Sequence, residues 1–189
     1  MLKILLIGKN GQLGWELQKE LPNLGEGKLY GAQENNLFYY LGCAHEQLGQ
    51  AEQARPEFER ATRGLSEPSS ALFYNDQPPE MIFYQGLAKK KLGRSAEARE
   101  IFERLAAYGL AHLDDDVKID YFAVSLPDFL VFDVDMNQRN QVHCRYMLGL
   151  GKQGLGDLAV AQEHFAAVLA LDANHLGAEL HRRLILEEK

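Results

Sequence analysis

The stretch LFYYLGCAHEQLGQAEQARPEFERA, residues 37–61, is the most informative part of the sequence about the fold, because two later stretches repeat its pattern. They are MIFYQGLAKKKLGRSAEAREIFERL at 81–105 and CRYMLGLGKQGLGDLAVAQEHFAAV at 144–168. When the three are aligned on one glycine, a Leu-Gly pair, an alanine and a phenylalanine recur at fixed distances from it. The aligned residues are Gly42, Gly86 and Gly149; Leu48, Leu92 and Leu155, each followed by Gly; Ala54, Ala98 and Ala161; and Phe58, Phe102 and Phe165. Such self-similarity predicts a helical repeat.

Each position of this pattern has a physical explanation. The first glycine lets two antiparallel helices approach closely. The Leu-Gly pair ends the first helix, because glycine readily adopts the left-handed conformation that follows a helix. The alanine and the phenylalanine four residues later share one face of the second helix. Asp157, after the third Leu-Gly pair, is a candidate N-cap of the next helix.

These residues resemble the tetratricopeptide repeat over about residues 34–175. The first window carries the pattern at Phe38, Leu41, Gly42, Ala54, Phe58 and Ala61. The second departs from it at Gln85 and Leu105, and the third at Arg145 and Val168. The segment LALDANH, 169–175, is similar to the usual end of a repeat. The resemblance implies an all-α, irregular helical-repeat solenoid.

The repeats are spaced irregularly, which predicts inserted segments. The aligned glycines are 44 and 63 residues apart, whereas the family's unit has 34. The first insert, around residues 66–80, has the composition of a loop. The second, about 111–140, is too apolar for a flexible linker, and we expect an ordered insert. With residues 176–189 as a C-terminal capping helix, the repeat domain spans 31–189; together with the insert it resembles the repeat region that ends some larger bacterial proteins.

The N-terminal stretch MLKILLIGKNGQLGWELQKEL has a different character. Gly8, Gly11 and Gly14 follow an apolar run, as in the turn that binds a pyrophosphate at a helix N-terminus. Residues 1–26 resemble the start of dTDP-4-dehydrorhamnose reductase, of the short-chain dehydrogenase/reductase class, which implies an NAD(P)-dependent sugar-nucleotide reductase. However, residues 27–36 contain no apolar run for the ribose-reading strand, and no Tyr-x-x-x-Lys pair occurs. We expect a non-functional leader over 1–30, no bound cofactor, and reductase activity as the alternative.

No pattern in the chain predicts a metal site or a catalytic group. The segment DVDMNQ, 133–138, begins like a calcium loop, but Gln138 replaces its glycine and Cys144 its final glutamate. Asp114, Asp115 and Asp116 are expected in a solvated turn. The six histidines have no zinc-binding spacing, so we predict no catalytic residues and no metal.

Composition narrows the partners and the compartment. A net charge of −7 argues against nucleic acid and against an anionic membrane surface. No stretch approaches the ~20 apolar residues that a membrane span needs. Cys43 and Cys144 are far apart in sequence, which suits buried thiols in a reducing compartment. We therefore expect a cytoplasmic protein.

The resemblance also implies where a partner binds, because the first helix of each repeat in the family lines a concave surface. The corresponding positions are Asn36, Tyr39, Tyr40 and Cys43; Glu80, Phe83, Tyr84 and Leu87; and His143, Tyr146, Met147 and Leu150. They contain no basic clamp for a terminal carboxylate, but they contain aromatic rings that suit recognition. The predicted partner-binding residues are Tyr39, Tyr40, Phe83, Tyr84 and Tyr146.

The sequence therefore favours a non-enzymatic protein-interaction or scaffold module that binds a protein or peptide segment or forms a homodimer. The alternative interpretation of the rings is packing between repeats, or coverage by the 111–140 insert.

Overall fold

The structure is a computed structural model that describes residues 34–71, 78–117 and 135–187. Every regular element in these ranges is an α-helix, and all of them lie in one compact unit of the chain. They are α1 (Asn35–Gln47), α2 (Ala51–Ala61), α3 (Pro79–Lys91), α4 (Ser95–His112), α5 (Met136–Leu155), α6 (Leu158–Leu171) and α7 (Leu176–Glu187). The architecture of this part of the chain is the predicted all-α helical repeat.

Three helical hairpins, α1–α2, α3–α4 and α5–α6, follow one another along the chain. Because only two or three residues connect the helices of each hairpin, the paired helices run antiparallel. The first helices are neighbours, since α1 packs against α3 and α3 packs against α5. The second helix of each hairpin also meets the first helix of the next. Stacking of this kind is the predicted solenoid.

A glycine with positive φ follows the first helix of every hairpin. The φ angle is 72° at Gly49, 78° at Gly93 and 85° at Gly156, a region that residues with a Cβ rarely adopt. The chain can therefore reverse direction immediately after the helix. In the first hairpin the amide of Gln50 then donates a hydrogen bond back to the carbonyl oxygen of His45. The prediction that the Leu-Gly pairs end the helices is confirmed.

The aligned glycine and phenylalanine of each window contact one another across the hairpin. A Cβ added to Gly42 would lie 2.5 Å from the Phe58 ring, and one added to Gly149 would lie 2.5 Å from the Phe165 ring. Gly86 makes the same contact in the second hairpin. All three phenylalanines are buried, so the pattern records close helix packing, as predicted.

Buried polar side chains anchor the loop that follows the first hairpin. Asn35 Nδ2 donates to the carbonyl oxygens of Ala61 and Arg63, at 2.8 and 2.7 Å. Gln85 Nε2 donates to the carbonyl oxygens of Arg63 and Leu65, at 2.9 and 3.0 Å. Both amides are buried, and these hydrogen bonds offset their desolvation. The departure from the family pattern at Gln85 therefore serves the loop.

Two aspartates stand at the starts of helices but act differently. The Asp135 side chain accepts hydrogen bonds from the amides of Asn137 and Gln138, at 2.9 and 3.1 Å, and so caps α5. Asp135, in the DVDMNQ segment, thus has a structural role. Asp157 is the N-cap residue of α6 as predicted, but its side chain makes no capping hydrogen bond.

Two of the predicted segments fall mainly outside the described residues. The leader with its glycine motif at 8–14 lies outside them, and so do residues 118–134 of the predicted insert. At the edges of that insert, α4 continues to His112 and α5 begins at Met136. Helix therefore occupies part of the range 111–140 that the repeat spacing assigned to the insert.

The buried apolar side chains form two clusters. The smaller cluster joins α1 and α2 with Ala88 of α3. The larger one extends from α3 to α7 and includes Phe102, Phe165 and Ile185. The C-terminal helix α7 packs on α6 and buries Ala178 and Ile185 completely. It therefore covers the apolar edge of the last hairpin, which is the role predicted for a capping helix.

Candidate interaction surface

The five predicted partner-binding residues form one row of rings, here called the aromatic row. It comprises Tyr39 and Tyr40 on α1, Phe83 and Tyr84 on α3, and Tyr146 on α5. The ring centroids of Tyr40 and Tyr84 are 5.4 Å apart, and those of Phe83 and Tyr84 are 5.7 Å apart. Tyr146 joins the row through a residue of α7, His181, whose ring centroid is 6.1 Å from its own.

The rings differ in how much of them faces solvent. Tyr40 is 47% exposed and Tyr39 is half-buried, whereas Phe83, Tyr84 and Tyr146 are 2%, 4% and 3% exposed. As the chain stands, a partner can contact the α1 end of the row directly but not the rings of α3 and α5. Those three rings pack inside the domain, which is the alternative interpretation that the sequence left open. Among the described residues, α7 contributes to their cover.

The exposed end of the row is held in a defined position. The hydroxyl oxygens of Tyr40 and Tyr84 are 2.8 Å apart, a hydrogen-bond distance. The Tyr39 ring lies behind them, with its centroid 5.5 Å from that of Tyr40 and 5.6 Å from that of Tyr84. Burial raises the pKa values of the Tyr39 and Tyr84 phenols well above their usual range. These phenols therefore remain protonated and neutral at physiological pH.

The buried end of the row converges on one imidazole. The His181 cluster consists of His181 with Phe83 and Tyr84 of α3, Tyr146 of α5 and Phe165 of α6. The His181 ring meets Phe83 edge-on at 5.1 Å and stacks on Phe165 at 5.7 Å, measured between centroids. Its centroid is 6.2 Å from that of Tyr84. One side chain of α7 thus touches rings from three other helices.

His181 is held in its neutral form. It is 1% exposed, and burial, with a smaller contribution from the nearby His175, lowers its pKa to about 4. Its Nδ1 lies 2.9 Å from the side-chain oxygen of Gln153, so the ring donates its N–H to that amide oxygen. The neutral ring packs as an aromatic group with one satisfied donor.

The Tyr146 hydroxyl is buried with no hydrogen-bond partner among the described residues. Helix α7 can approach the Tyr146 hydroxyl closely because residue 177 is glycine. A Cβ at this position would collide with that hydroxyl. The His175 ring lies 4.5 Å from the Tyr146 ring, between centroids. Burial raises the pKa of Tyr146 well above its usual range, so the unpaired group is a neutral phenol. An unsatisfied buried donor costs about 1–3 kcal/mol, which opposes the docking of α7.

His181 is the site residue that sequence reasoning missed, although a signal for it exists. Leu180 follows Tyr146 after 34 residues, the length of the family's unit. His181 therefore occupies the register position of Met147 in the preceding hairpin. In this register α7 is the first helix of a fourth unit, but the aligned glycine is replaced by Arg183, so the glycine alignment did not include it.

The other positions that the resemblance placed on the concave surface divide in the same way. Asn36, Cys43, Glu80 and Leu87 are half-buried, whereas Met147 and Leu150 are fully buried. His143 is half-buried, and its Nε2 donates to the carbonyl oxygen of Ser69 at 2.7 Å. The α1 side of the surface is therefore accessible, while its α5 side belongs largely to the core.

Contact chemistry dominates the described residues. No group of three or more His, Cys, Asp or Glu side chains within 34–71, 78–117 and 135–187 is placed to hold a metal ion. Of the helices just described, none has both the length and the apolarity to cross a membrane. Both cysteines are free thiols, and burial raises the pKa of Cys144 to about 11, which keeps it protonated and unreactive.

Comparison with known families gives two matches, both to models described as tetratricopeptide repeat. One spans residues 36–63, which contain nearly all of the α1–α2 hairpin, and the other spans 80–108, which contain most of α3–α4. They support the identification of these hairpins as tetratricopeptide repeats and confirm the helical-repeat fold class. Neither match reaches the leader, so the resemblance of residues 1–26 to dTDP-4-dehydrorhamnose reductase gains no support. No solved structure matches the chain significantly.

Proposed function

We propose that this protein is a protein–protein interaction module that holds a partner segment at the exposed end of the aromatic row. Two matches to a repeat family whose role is protein interaction support the class. The observation that carries the location is Tyr40, whose ring is 47% exposed and whose hydroxyl lies 2.8 Å from that of Tyr84.

A fixed tyrosine of this kind suits recognition for two reasons. Its ring offers a large apolar area and its hydroxyl a polar tip, the combination that is enriched at protein interfaces. Because Tyr39 and Tyr84 already restrain it, little side-chain entropy is lost when a partner binds. The partner is a protein rather than a nucleic acid, since the chain carries a net charge of −7. The protein itself acts without a cofactor, and we place it in the cytoplasm.

The experiment uses a library of random peptides displayed on phage and the full chain as bait. Peptides that the unmodified chain enriches are measured against Tyr40→Ala and, as a matched control, against Leu110→Ala, which removes an apolar side chain 71% exposed on α4. We expect Tyr40→Ala to weaken binding at least tenfold and Leu110→Ala to leave it unchanged. If the enriched peptides bind Tyr40→Ala as tightly as the unmodified chain, or if no peptide is enriched, the proposal is wrong.

A homodimer formed through the exposed end of the aromatic row is distinguished from binding of a partner segment by sedimentation. In that case the unmodified chain would dimerise with increasing concentration, and Tyr40→Ala would remain monomeric over the same range.

A further inference from the structure

We propose that the surface under α7 is a second docking surface, which accepts an amphipathic helix of a partner in place of α7. The inference rests on the proposed function, because it extends the partner-binding row from its exposed end to its covered one. In this structure the chain's own C-terminal helix occupies the surface. That helix therefore shows which chemistry the surface recognises.

The first argument concerns how α7 is held. Its backbone packs against α6, and its reach to α3 and α5 depends on side chains, chiefly the ring of His181. The other fully buried side chains of α7 are Ala178 and Ile185. One small, one aromatic and one aliphatic side chain, at a spacing of three and four residues, form a narrow apolar stripe of the kind that docks a helix into a groove.

The second argument concerns the imperfect fit of α7. Directly beneath Gly177, the Tyr146 hydroxyl is buried without a hydrogen-bond partner among the described residues. A partner helix that brings an acceptor to this point satisfies the hydroxyl, whereas α7 does not. Since a buried unpaired hydroxyl is costly, α7 fits this surface less well than such a helix, which favours its displacement.

The third argument concerns the outer side of α7. Leu176, Leu180 and Leu186 are 84%, 48% and 51% exposed. A helix that serves only to end a repeat array presents a polar outer face to solvent. The exposed leucines of α7 do not fit that role alone.

These features define the chemistry of the partner. It is an amphipathic helix with a small residue at the place of Gly177 and a ring four residues later, at the place of His181. A hydrogen-bond acceptor near the small residue reaches the Tyr146 hydroxyl. The ring is uncharged when bound, because the rings of Phe83, Tyr84, Tyr146 and Phe165 pack around it and Gln153 offers it a neutral amide.

The test begins with hydrogen exchange in the full chain. If α7 is displaceable, its amides are protected at least tenfold less than those of α5 and α6. Gly177→Ala, which places a methyl group against the Tyr146 hydroxyl, lowers α7 protection roughly tenfold further. Tyr146→Phe removes the unpaired hydroxyl and raises α7 protection roughly tenfold. Leu176→Ala, on the exposed side of the same turn, is the matched control and leaves the protection of α7 unchanged.

The second arm measures binding in trans. The probe is a fluorescent synthetic peptide with the sequence of residues 174–187, NHLGAELHRRLILE, and the readout is anisotropy. We expect this peptide to bind the Gly177→Ala chain at least tenfold more tightly than the unmodified chain. A peptide that carries His181→Asp should bind neither chain.

Three results would overturn the inference. One is that α7 exchanges together with α5 and α6, which would make it a permanent part of the core. Another is that Tyr146→Phe lowers α7 protection. A third is a concentration-dependent dimer in which two copies of the chain exchange their α7 helices. The occupant of the surface would then be a second copy of this chain. Peptides that depend on Tyr40 can still be found in each case, so the failure of this inference is distinguishable from failure of the proposed function.

Discussion

Acidification from pH 7 to pH 5 is expected to weaken the docking of α7, because His181 binds a proton more readily when α7 is undocked than when it is buried. In the folded chain burial lowers the pKa of this imidazole to about 4, against 6.5 for a free side chain. The stability that its neutral form contributes is therefore fully present above pH 6.5. It is lost as the pH falls from 6.5 towards 4, since the unfolded chain binds the proton more tightly in that window.

The size of the effect follows from these two pKa values. Each pH unit between them changes the free energy of opening by about 1.4 kcal/mol, so the full window corresponds to about 3 kcal/mol. By pH 5 about 2 kcal/mol of this is lost, which corresponds to a fall of roughly thirtyfold in the protection of α7 amides. The groups that face the ring offer no compensating charge. They are the neutral phenols of Tyr84 and Tyr146, the amide of Gln153, and His175, whose positive form disfavours protonation of His181.

The assay is hydrogen exchange of α7 at pH 7 and pH 5, corrected for intrinsic rates, on the unmodified chain and on His181→Gln. The variant cannot titrate at residue 181, whereas His143 and His164, whose pKa values are also lowered by burial, are present in both chains. The difference between the two chains therefore isolates His181. If both chains lose the same protection, or if the His181 ring titrates near pH 6.5 in an NMR titration, the reasoning is refuted.

Three further predictions concern stability and are checked by urea denaturation. Asp135→Ala should lower the free energy of unfolding by about 1 kcal/mol through loss of the α5 cap, whereas Asp157→Ala, which removes no capping hydrogen bond, should not; equal effects would contradict this. Gln85→Ala should cost about 1–3 kcal/mol, because the two hydrogen bonds that Gln85 Nε2 donates to the carbonyl oxygens of Arg63 and Leu65 are lost, and should speed tryptic cleavage after Arg63; unchanged cleavage would count against the anchoring role. Gly149→Ala should cost about 1–3 kcal/mol through overpacking against the facing ring; a neutral result would show that the ring can move aside.

The features that could be predicted from the sequence are those that hairpin packing imposes on single positions. Gly42 must be small because the Phe58 ring lies against it, and Gly49 must adopt a positive φ, so both positions recur in every hairpin. The same dependence explains why α7 was not recognised as part of the repeat. Arg183 occupies the position of the aligned glycine in α7 and forms an ion pair with Glu179, 2.6 Å between Nε and Oε1, so an alignment on the glycines passes over this helix.

The burial of Phe83, Tyr84 and Tyr146 could not be predicted, because it depends on how closely α7 approaches α3 and α5. Periodicity places Phe83 and Tyr146 on the same surface, but it contains no information on what covers that surface. Two small details decide it, the glycine at 177 and the neutral imidazole of His181. Gly177 is not one of the aligned glycines, and the register that His181 shares with Met147 does not indicate which rings surround its imidazole.

The hydrogen bond between Tyr40 and Tyr84 determines what a partner must bring to the exposed end of the row. A hydroxyl donates one hydrogen bond and accepts up to two. Tyr84 is 4% exposed, and among the described residues Tyr40 is the partner recorded for its hydroxyl. Its proton is therefore best satisfied when Tyr84 donates to Tyr40, since the reverse direction would leave that proton buried and unpaired. The proton of Tyr40 then points outward, so the partner is expected to supply an acceptor, such as a backbone carbonyl, beside an apolar side chain that covers the ring.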